Sequence, residues 1–160
     1  MPLHVALVHH PTIDKTGKTT ATSVTNLDLH DISRASRTYG VEKFWVVHPH
    51  DSMNHYVNRV MNFWKDGHGS TYNPTRREAL AQTEMVRDLE ELAEKLERNS
   101  VGEDGRILEI DWIATSAKKL PNTISYGDMR KKIEQETNDR LFVVLFGTGW
   151  GLHPCIMEEM

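Results

Sequence analysis

The sequence contains a single cysteine, Cys155, among its 160 residues. One cysteine cannot close an intrachain disulfide, and it excludes a cysteine-rich zinc site. A chain without disulfides is typical of a reducing compartment, so we expect a cytoplasmic protein.

Long apolar segments and an excess of positive charge are also lacking. The longest wholly apolar run is Leu141 to Phe146, whereas a membrane-spanning helix needs roughly 20 residues. Residues Met1 to Val8 have no basic region and no apolar segment followed by small residues, so we expect neither a secretory signal nor a membrane partner. The net charge of −4 excludes a globally basic nucleic-acid binder but allows a local basic patch.

Short apolar segments predict the strands. Continuous apolar runs of this length suit strands that are covered on both faces, as in a parallel sheet between helix layers. The segment Ala81 to Val86 is weaker, and it is either a strand or the first turns of the next helix. The four clear segments are Leu3 to His9, Phe44 to Val47, Ile110 to Ala114 and Leu141 to Phe146.

Segments with helical periodicity alternate with these strands. The first of them is preceded by Thr25, which with Asp28 resembles a capping box, and its expected buried face carries Leu29, Ile32, Ala35, Ser36 and Tyr39. The alternation predicts an α/β fold, a three-layer sandwich with a mostly parallel sheet, formed by one domain over residues 1–160. The predicted helices are Leu27 to Tyr39, Met53 to Trp64, Asp88 to Arg98 and Tyr126 to Gln135, with a further helix starting near Leu152.

Two polar loops, His10 to Ser23 and Gly67 to Arg77, are long for a compact domain, so we expect them to be functional or mobile. The first contains Thr16-Gly17-Lys18-Thr19, which looks like the end of a phosphate-binding P-loop. Thr12 stands where that motif requires glycine, which argues against a nucleoside triphosphatase.

The strongest motif is the glycine turn, residues 146–152 (FGTGWGL), directly after an apolar strand. Ligands of open α/β sheets bind beyond the carboxyl ends of the strands. We therefore predict a ligand-binding turn with at least one glycine at positive φ and with Trp150 outside the core. The alternative is a tight turn in which Trp150 anchors the core. Leu152 stands where a dinucleotide fingerprint needs its third glycine, which disfavours a nucleotide-binding oxidoreductase.

Histidines and cations mark further candidate sites. His9-His10 and His48-Pro49-His50 follow two predicted strands and could lie close together, but no carboxylates cluster with them, so we expect no metal site. Cations and acids are segregated along the chain, because residues 84–104 are acidic. This pattern favours one basic surface for RNA, although ordinary solvated helix faces explain it equally well. The cations in question are Arg37, Lys118, Lys119, Arg130, Lys131 and Lys132.

Five segments, in order over almost the whole chain, carry a family resemblance. They are residues 22–41 (TSVTNLDLHDISRASRTYGV), residues 44–49 (FWVVHP), Asn73-Pro74 with Arg76 or Arg77, residues 114–118 (ATSAK) and residues 146–152. Together they resemble a bacterial family within the SPOUT superfamily, the knotted RNA methyltransferases that use S-adenosylmethionine (SAM). Arg34, followed by Gly40, matches the first superfamily motif, whereas Asp28 stands where many members have asparagine.

The resemblance implies a fold, a cofactor and an assembly. The fold is a three-layer α/β domain with a C-terminal trefoil knot, and the assembly is a homodimer with the active site at its interface. Arg34 of the partner subunit would face the substrate. SAM would lie among loops after late strands, which here are Thr115, Ser116, Ala117, Phe146, Gly147, Thr148, Gly149, Trp150, Gly151 and Leu152.

The activity implied is methyl transfer from SAM to a base or ribose of RNA, either tRNA or rRNA. Such a transfer needs positioning and exclusion of water, without a metal or a covalent nucleophile. Asp28 or His30 could accept the proton that leaves a methylated group. Family members continue past the glycine turn with a strand, a third cofactor loop and a closing helix that this sequence does not contain. We therefore expect an incomplete knot and weak SAM binding, and the alternative is a non-catalytic RNA-binding or dimerisation module.

Overall fold

A computed structural model describes residues 2–100, 105, 107–135 and 139–158. Five parallel strands form one sheet in the order β5-β4-β1-β7-β6, and two short antiparallel strands form a separate hairpin, β2–β3. The strands are β1 (Leu3–Val8), β2 (Thr12–Ile13), β3 (Thr19–Thr20), β4 (Lys43–Val47), β5 (Thr83–Val86), β6 (Glu109–Ala114) and β7 (Arg140–Gly147).

Helices flank the sheet on both faces. They are α1 (Asn26–Thr38), α2 (Asp51–Lys65), α3 (His68–Tyr72), α4 (Pro74–Ala81), α5 (Leu89–Asn99), α6 (Tyr126–Gln135) and α7 (Pro154–Glu158). The predicted three-layer α/β sandwich with a mostly parallel sheet is therefore confirmed. Among the described residues, no helix has both the length and the apolar character that crossing a bilayer demands.

The central strands alternate between two cores. Val5 and Leu7 of β1 face one side with Leu29 of α1 and Val57 of α2, so α1, α2 and α4 cover that face. Ala6 and Val8 face the other side with β4, β7, α5 and α7. Because both faces of β1 are buried, its sequence is apolar almost throughout, which is the pattern from which it was predicted.

Within the segment Ala81 to Val86, residues Thr83–Val86 form the edge strand β5, whereas Ala81 ends α4. This strand is tied to α1 through a buried pair, since the Ser33 and Thr83 hydroxyl oxygens lie 2.7 Å apart. Ser33 also donates to the Leu29 carbonyl one turn earlier. Two polar side chains can thus be buried between helix and sheet without an unsatisfied group.

Two expectations were wrong in part. The loop expected at Gly67 to Arg77 contains α3 and the start of α4, where Pro74 takes the first helical position and the Asn73 side chain accepts from the Arg76 amide at 3.0 Å. Proline at that position costs no hydrogen bond, so a polar, proline-containing segment can still begin a helix.

The expected buried face of α1 was also wrong in part. Tyr39 is exposed, as is Ala35, and the buried side chains are Leu29, Ser33 and Ser36. The small serines let the helix approach the sheet closely, so its buried face is rotated away from the positions that hydrophobicity alone indicates. The predicted capping box of Thr25 and Asp28 is confirmed. Residues 101–104 of the acidic segment lie outside the described residues.

Candidate functional site

A cavity of about 800 Å³ lies at the carboxyl ends of β6 and β7. Two turns that are distant in sequence form most of its wall, because parallel pairing of β6 with β7 brings their ends together. The lining residues are Ile13, Thr115, Ser116, Ala117, Lys118, Leu120, Pro121, Asn122, Tyr126, Gly147, Gly149, Trp150, Gly151, Leu152, Pro154, Met157 and Glu158.

The glycine turn has a backbone that side chains would obstruct. Gly149 has φ of +61° and Gly151 has φ of +117°, values that L-residues reach only at an energetic cost. A Cβ atom on Gly147 would lie 2.5 Å from the Leu152 amide nitrogen. The prediction of at least one positive φ among these glycines is confirmed.

Trp150 projects from this turn into solvent and onto the cavity. Its exposed fraction is 68%, and it lines the cavity together with Tyr126, which is almost fully exposed. The prediction that Trp150 stands outside the core is confirmed. Two aromatic rings at one opening can cover a planar ligand, since ring faces stack favourably on other aromatic systems.

The β2–β3 hairpin is joined to the glycine turn by backbone hydrogen bonds. The Ile13 amide donates to the Gly151 carbonyl at 3.1 Å, and the Trp150 amide donates to the Ile13 carbonyl at 3.1 Å. The segment His10 to Ser23, expected to be a polar loop, therefore contains this hairpin and contributes Ile13 to the cavity wall. Sequence reasoning missed Ile13, although an apolar residue between Thr12 and Asp14, before a glycine-containing turn, is a weak hairpin signal.

The P-loop-like residues Thr16 to Thr19 form the tip of this hairpin. One carboxylate oxygen of Asp14 accepts from the backbone amides of Thr16 and Lys18, at 2.7 and 3.0 Å. The Thr16 hydroxyl also donates to this carboxylate, and its hydrogen bond is the largest cause that lowers the pKa of Asp14 below its usual value. The hydrogen bonds from the two amides lower the pKa further. The segment closes a turn and opens no helix, which agrees with the argument against a nucleoside triphosphatase.

Eight of the ten residues expected to bind the cofactor line the cavity. The exceptions are Phe146, which is 42% exposed elsewhere on the surface, and Thr148, whose hydroxyl turns down to donate to the Val8 carbonyl at 3.1 Å. Sequence reasoning missed the residues after the β6 turn and those of α6 and α7, because only the fold brings them to the cavity.

The histidines after β1 and β4 do meet, as their positions suggested. The His9 and His48 ring centroids are 6.0 Å apart, and both side chains are almost fully buried. Burial lowers the pKa of His9 to about 4 and lowers that of His48, so both rings are neutral at physiological pH. They lie behind the glycine turn and do not line the cavity.

The three catalytic candidates on α1 lie apart from the cavity, and none of these described side chains lines it. Arg34 is exposed near Asp31, with 4.0 Å between their charged atoms. The Asp28 carboxylate accepts from the Thr25 amide and hydroxyl, at 2.8 and 2.7 Å. His30 packs edge-on against Trp64, and burial lowers its pKa.

The expected RNA-binding cations are partly neutralised. Lys132 pairs with Asp111 at 3.1 Å, and Lys131 lies 3.6 Å from Asp128. Lys118, in contrast, stands at the cavity itself. Two other predicted cations are also paired, Arg37 with Glu78 at 3.2 Å and Arg130 with Glu134 at 2.7 Å.

Comparison with known proteins decides the family. The profile of a family described as SAM-dependent RNA methyltransferase matches residues 2–160, which is nearly the whole chain. The chain belongs to this family of SAM-dependent RNA methyltransferases. The RNA methyltransferase assignment drawn from the resemblance, with SAM as its cofactor, is thereby confirmed.

Individual relatives of this chain have the following identities and coverages. An uncharacterized protein of Aquifex aeolicus is 37% identical over 96% of the chain and 71% of its own length. The tRNA (guanine-N(1)-)-methyltransferases of Nitratidesulfovibrio vulgaris and Oleidesulfovibrio alaskensis are 36% and 33% identical over 98% of the chain. The chain spans 34% of the length of each of these two enzymes.

The cavity of this methyltransferase suits SAM in size and chemistry. Its volume of about 800 Å³ falls within the roughly 300–1,000 Å³ of small-molecule sites. Leu152, Ile13 and Met157 offer apolar contact, whereas Ser116 and Glu158 offer polar groups. The glycine turn adds backbone that a ligand can approach closely.

Proposed function

We propose that this chain binds SAM in the cavity between the β6 and β7 turns and methylates RNA there. The observation that carries the proposal is the meeting of residues 115–117 with the glycine turn in one cavity. The RNA class we propose is tRNA, because two relatives with full coverage of this chain are named as tRNA methyltransferases.

The residues of the cavity act by binding, orienting and excluding water. When bound, SAM supplies a methyl group on a positively charged sulfur. The glycine turn lets the backbone approach the ligand, and Leu152 and Met157 remove water from the ligand's apolar parts. Trp150 and Tyr126 stand exposed at the cavity, where they can pack on a bound ligand and so shield the reacting groups from solvent.

The proton acceptor remains a choice between two residues of α1. Both hydrogen bonds of the helix cap fall on one oxygen of Asp28, Oδ2, so the other oxygen of the carboxylate could accept a proton. The lowered pKa of His30 keeps its ring neutral and therefore able to accept one. We therefore propose both residues as acceptors, with Arg34 as the group facing the RNA.

We further propose a homodimer, since these α1 residues lie away from the cavity of their own chain. A partner subunit could present its Arg34 to this cavity, and the trefoil knot and the cytoplasmic location remain predictions of the same kind. Light scattering after size-exclusion chromatography tests the assembly, and a monomer would contradict it.

The basic test is calorimetric titration of the chain with SAM, which we expect to show saturable binding at one site per chain. The measured affinity also tests the expectation of weak binding. Transfer of a labelled methyl group to tRNA, with rRNA compared in parallel, then tests the reaction. RNA binding without any SAM binding would favour the non-catalytic alternative.

Trp150→Ala is expected to weaken SAM binding about tenfold while moving the Tm by no more than about 2 °C. The side chain is exposed on the cavity, so its loss removes a ligand contact and leaves the core intact. Tyr72→Ala, at another exposed aromatic residue, is the matched control and should leave binding unchanged. Unfolding of the Trp150 variant, or unchanged SAM affinity, would contradict the assignment.

RNA affinity is expected to fall steeply with salt, and replacing Lys118 and Lys119 together by serine should flatten that dependence by up to about two units of log–log slope. Lys118 stands at the cavity, where RNA must approach. Lys95→Ser on α5, within the acidic segment, is the control. Filter-binding titrations at several salt concentrations measure the slope, and an unchanged slope would remove these lysines from the interface.

A further inference from the structure

Thr22 lies directly beneath the glycine turn. A Cβ atom on Gly149 would meet the Thr22 methyl group at 3.3 Å, so that methyl group packs against the turn. The Thr22 hydroxyl is hydrogen-bonded to the Thr148 hydroxyl, which belongs to the same turn. One side chain therefore contacts two consecutive residues of the cavity wall without itself lining the cavity.

The donor and the acceptor of each side-chain hydrogen bond around Thr22 can be assigned. The Thr148 hydroxyl donates its proton to the Val8 carbonyl at 3.1 Å, because a carbonyl can only accept. Thr148 must then accept from the Thr22 hydroxyl. Having donated, the Thr22 oxygen can only accept from His9, whose Nδ1 lies 3.0 Å away. His9 thus carries a proton on Nδ1, and burial, which lowers its pKa to about 4, keeps the ring neutral.

The Thr22 backbone is held as firmly as its side chain. Its amide donates to the His9 carbonyl at 3.0 Å, and its carbonyl accepts from Nε2 of His48 at 3.1 Å. Nδ1 of His48 accepts from the His50 amide at 3.1 Å, which fixes the second tautomer. Both histidines are almost fully buried, so water cannot replace these bonds.

We propose that Thr22, held by His9 and His48, is a positioning residue that sets the glycine turn for SAM. It links the ends of β1 and β4 to the turn after β7, and the turn carries Trp150 to the cavity. This inference rests on the proposed function only for its effect on SAM affinity. Its effect on the turn itself is independent of any ligand.

The test compares Thr22→Val with Thr22→Ser in the full chain. Valine keeps a methyl group against Gly149 but breaks the hydrogen-bond chain, whereas serine keeps the hydroxyl. Without ligand, amide hydrogen exchange followed by NMR should be about tenfold faster at Thr148 and Trp150 in Thr22→Val, relative to Val144 within β7. Thr22→Ser should stay within about threefold of the parent protein at the same amides.

SAM titrations complete the experiment. We expect the Kd to rise about tenfold in Thr22→Val and less than about threefold in Thr22→Ser. Thr38→Val is the matched control, because it likewise removes a threonine hydroxyl, here one that donates to the Arg34 carbonyl within α1. It should leave both readouts unchanged. If Thr22→Val does not fold, Thr148→Val removes the same hydrogen bond together with the one to the Val8 carbonyl, and it should speed exchange at Trp150 at least as much.

The two hypotheses fail in different ways. If the parent chain binds no SAM, the proposed function fails, and hydrogen exchange still tests the role of Thr22. If exchange at Thr148 and Trp150 is unchanged in the valine variants, the positioning role is overturned even where SAM binds normally. Equal acceleration in Thr22→Ser and Thr22→Val would likewise overturn it, since the hydroxyl would then have no part.

Discussion

Replacing Gly147 by alanine is expected to abolish measurable SAM binding and to lower the free energy of unfolding by about 2–3 kcal/mol. The added Cβ would lie 2.5 Å from the Leu152 amide nitrogen and 2.9 Å from the Gly151 carbonyl carbon. These are backbone atoms, so they cannot rotate aside as the end of a side chain can. Leu152 is buried in the core, and its displacement carries the strain into the packing.

Gly127→Ala provides the control for this substitution. A Cβ there would meet only the Ser125 hydroxyl oxygen, at 3.8 Å, and it lies within α6. We expect its stability to change by less than about 0.5 kcal/mol, because alanine is the better helix former. Urea unfolding and SAM calorimetry measure both variants. Parent-like affinity in Gly147→Ala would show that the turn has room to move and does not define the cavity.

The second large effect is expected from acid. The folded protein should lose about 2 kcal/mol of stability per buried histidine, at His4 and His9, when the pH falls from 7.5 to 5. Burial is the main cause that lowers the pKa of each from 6.5 to about 4. The charge of Lys43 lowers the pKa of His4 further, whereas that of Glu84 raises it. For His9, the charge of Asp28 raises the pKa and that of His48 lowers it.

The direction follows from proton counting. Between about pH 4 and 6.5 the unfolded chain binds protons at these two positions and the folded chain does not. Protonation therefore favours unfolding, so stability is complete above pH 6.5 and declines as the pH falls. Urea unfolding at several pH values measures the decline. His4→Gln should reduce the decline by about 2 kcal/mol, and a flat profile between pH 7.5 and 5 would contradict the assignment.

Most of the architecture could be predicted from the local sequence, because the strands have recognisable apolar runs. β1 and β7 are buried on both faces, so their apolar runs are long enough to recognise. α3 and α4 were missed, since their positions at the surface allow a polar sequence with glycine and proline. The buried face of α1 was misjudged because Ser33 is buried as the partner of Thr83, a residue of β5 that sequence spacing cannot pair with it.

The candidate site was predictable only where one turn supplied several residues. The glycine turn and residues 115–117 lie at strand ends, and the carboxyl ends of parallel strands are where ligands bind. Ile13 and Thr22 could not be found in this way, because their roles depend on contacts with residues far along the chain. The hydrogen bond from Thr22 to Thr148 joins positions 126 residues apart. The hydrophobic periodicity of a sequence does not indicate such pairs.

The place of β1 in the sheet has a consequence for the chain during its synthesis. β1 lies at the centre, between β4 and β7, and β7 is synthesised after the other four described strands of this sheet. The segment up to β5 can form a three-stranded sheet early, with β1 as an open edge that offers unpaired amides and carbonyls. A nascent chain therefore exposes an aggregation-prone edge until residues 140–147 emerge. The β2–β3 hairpin is synthesised before the glycine turn, and the cavity cannot form until both are present.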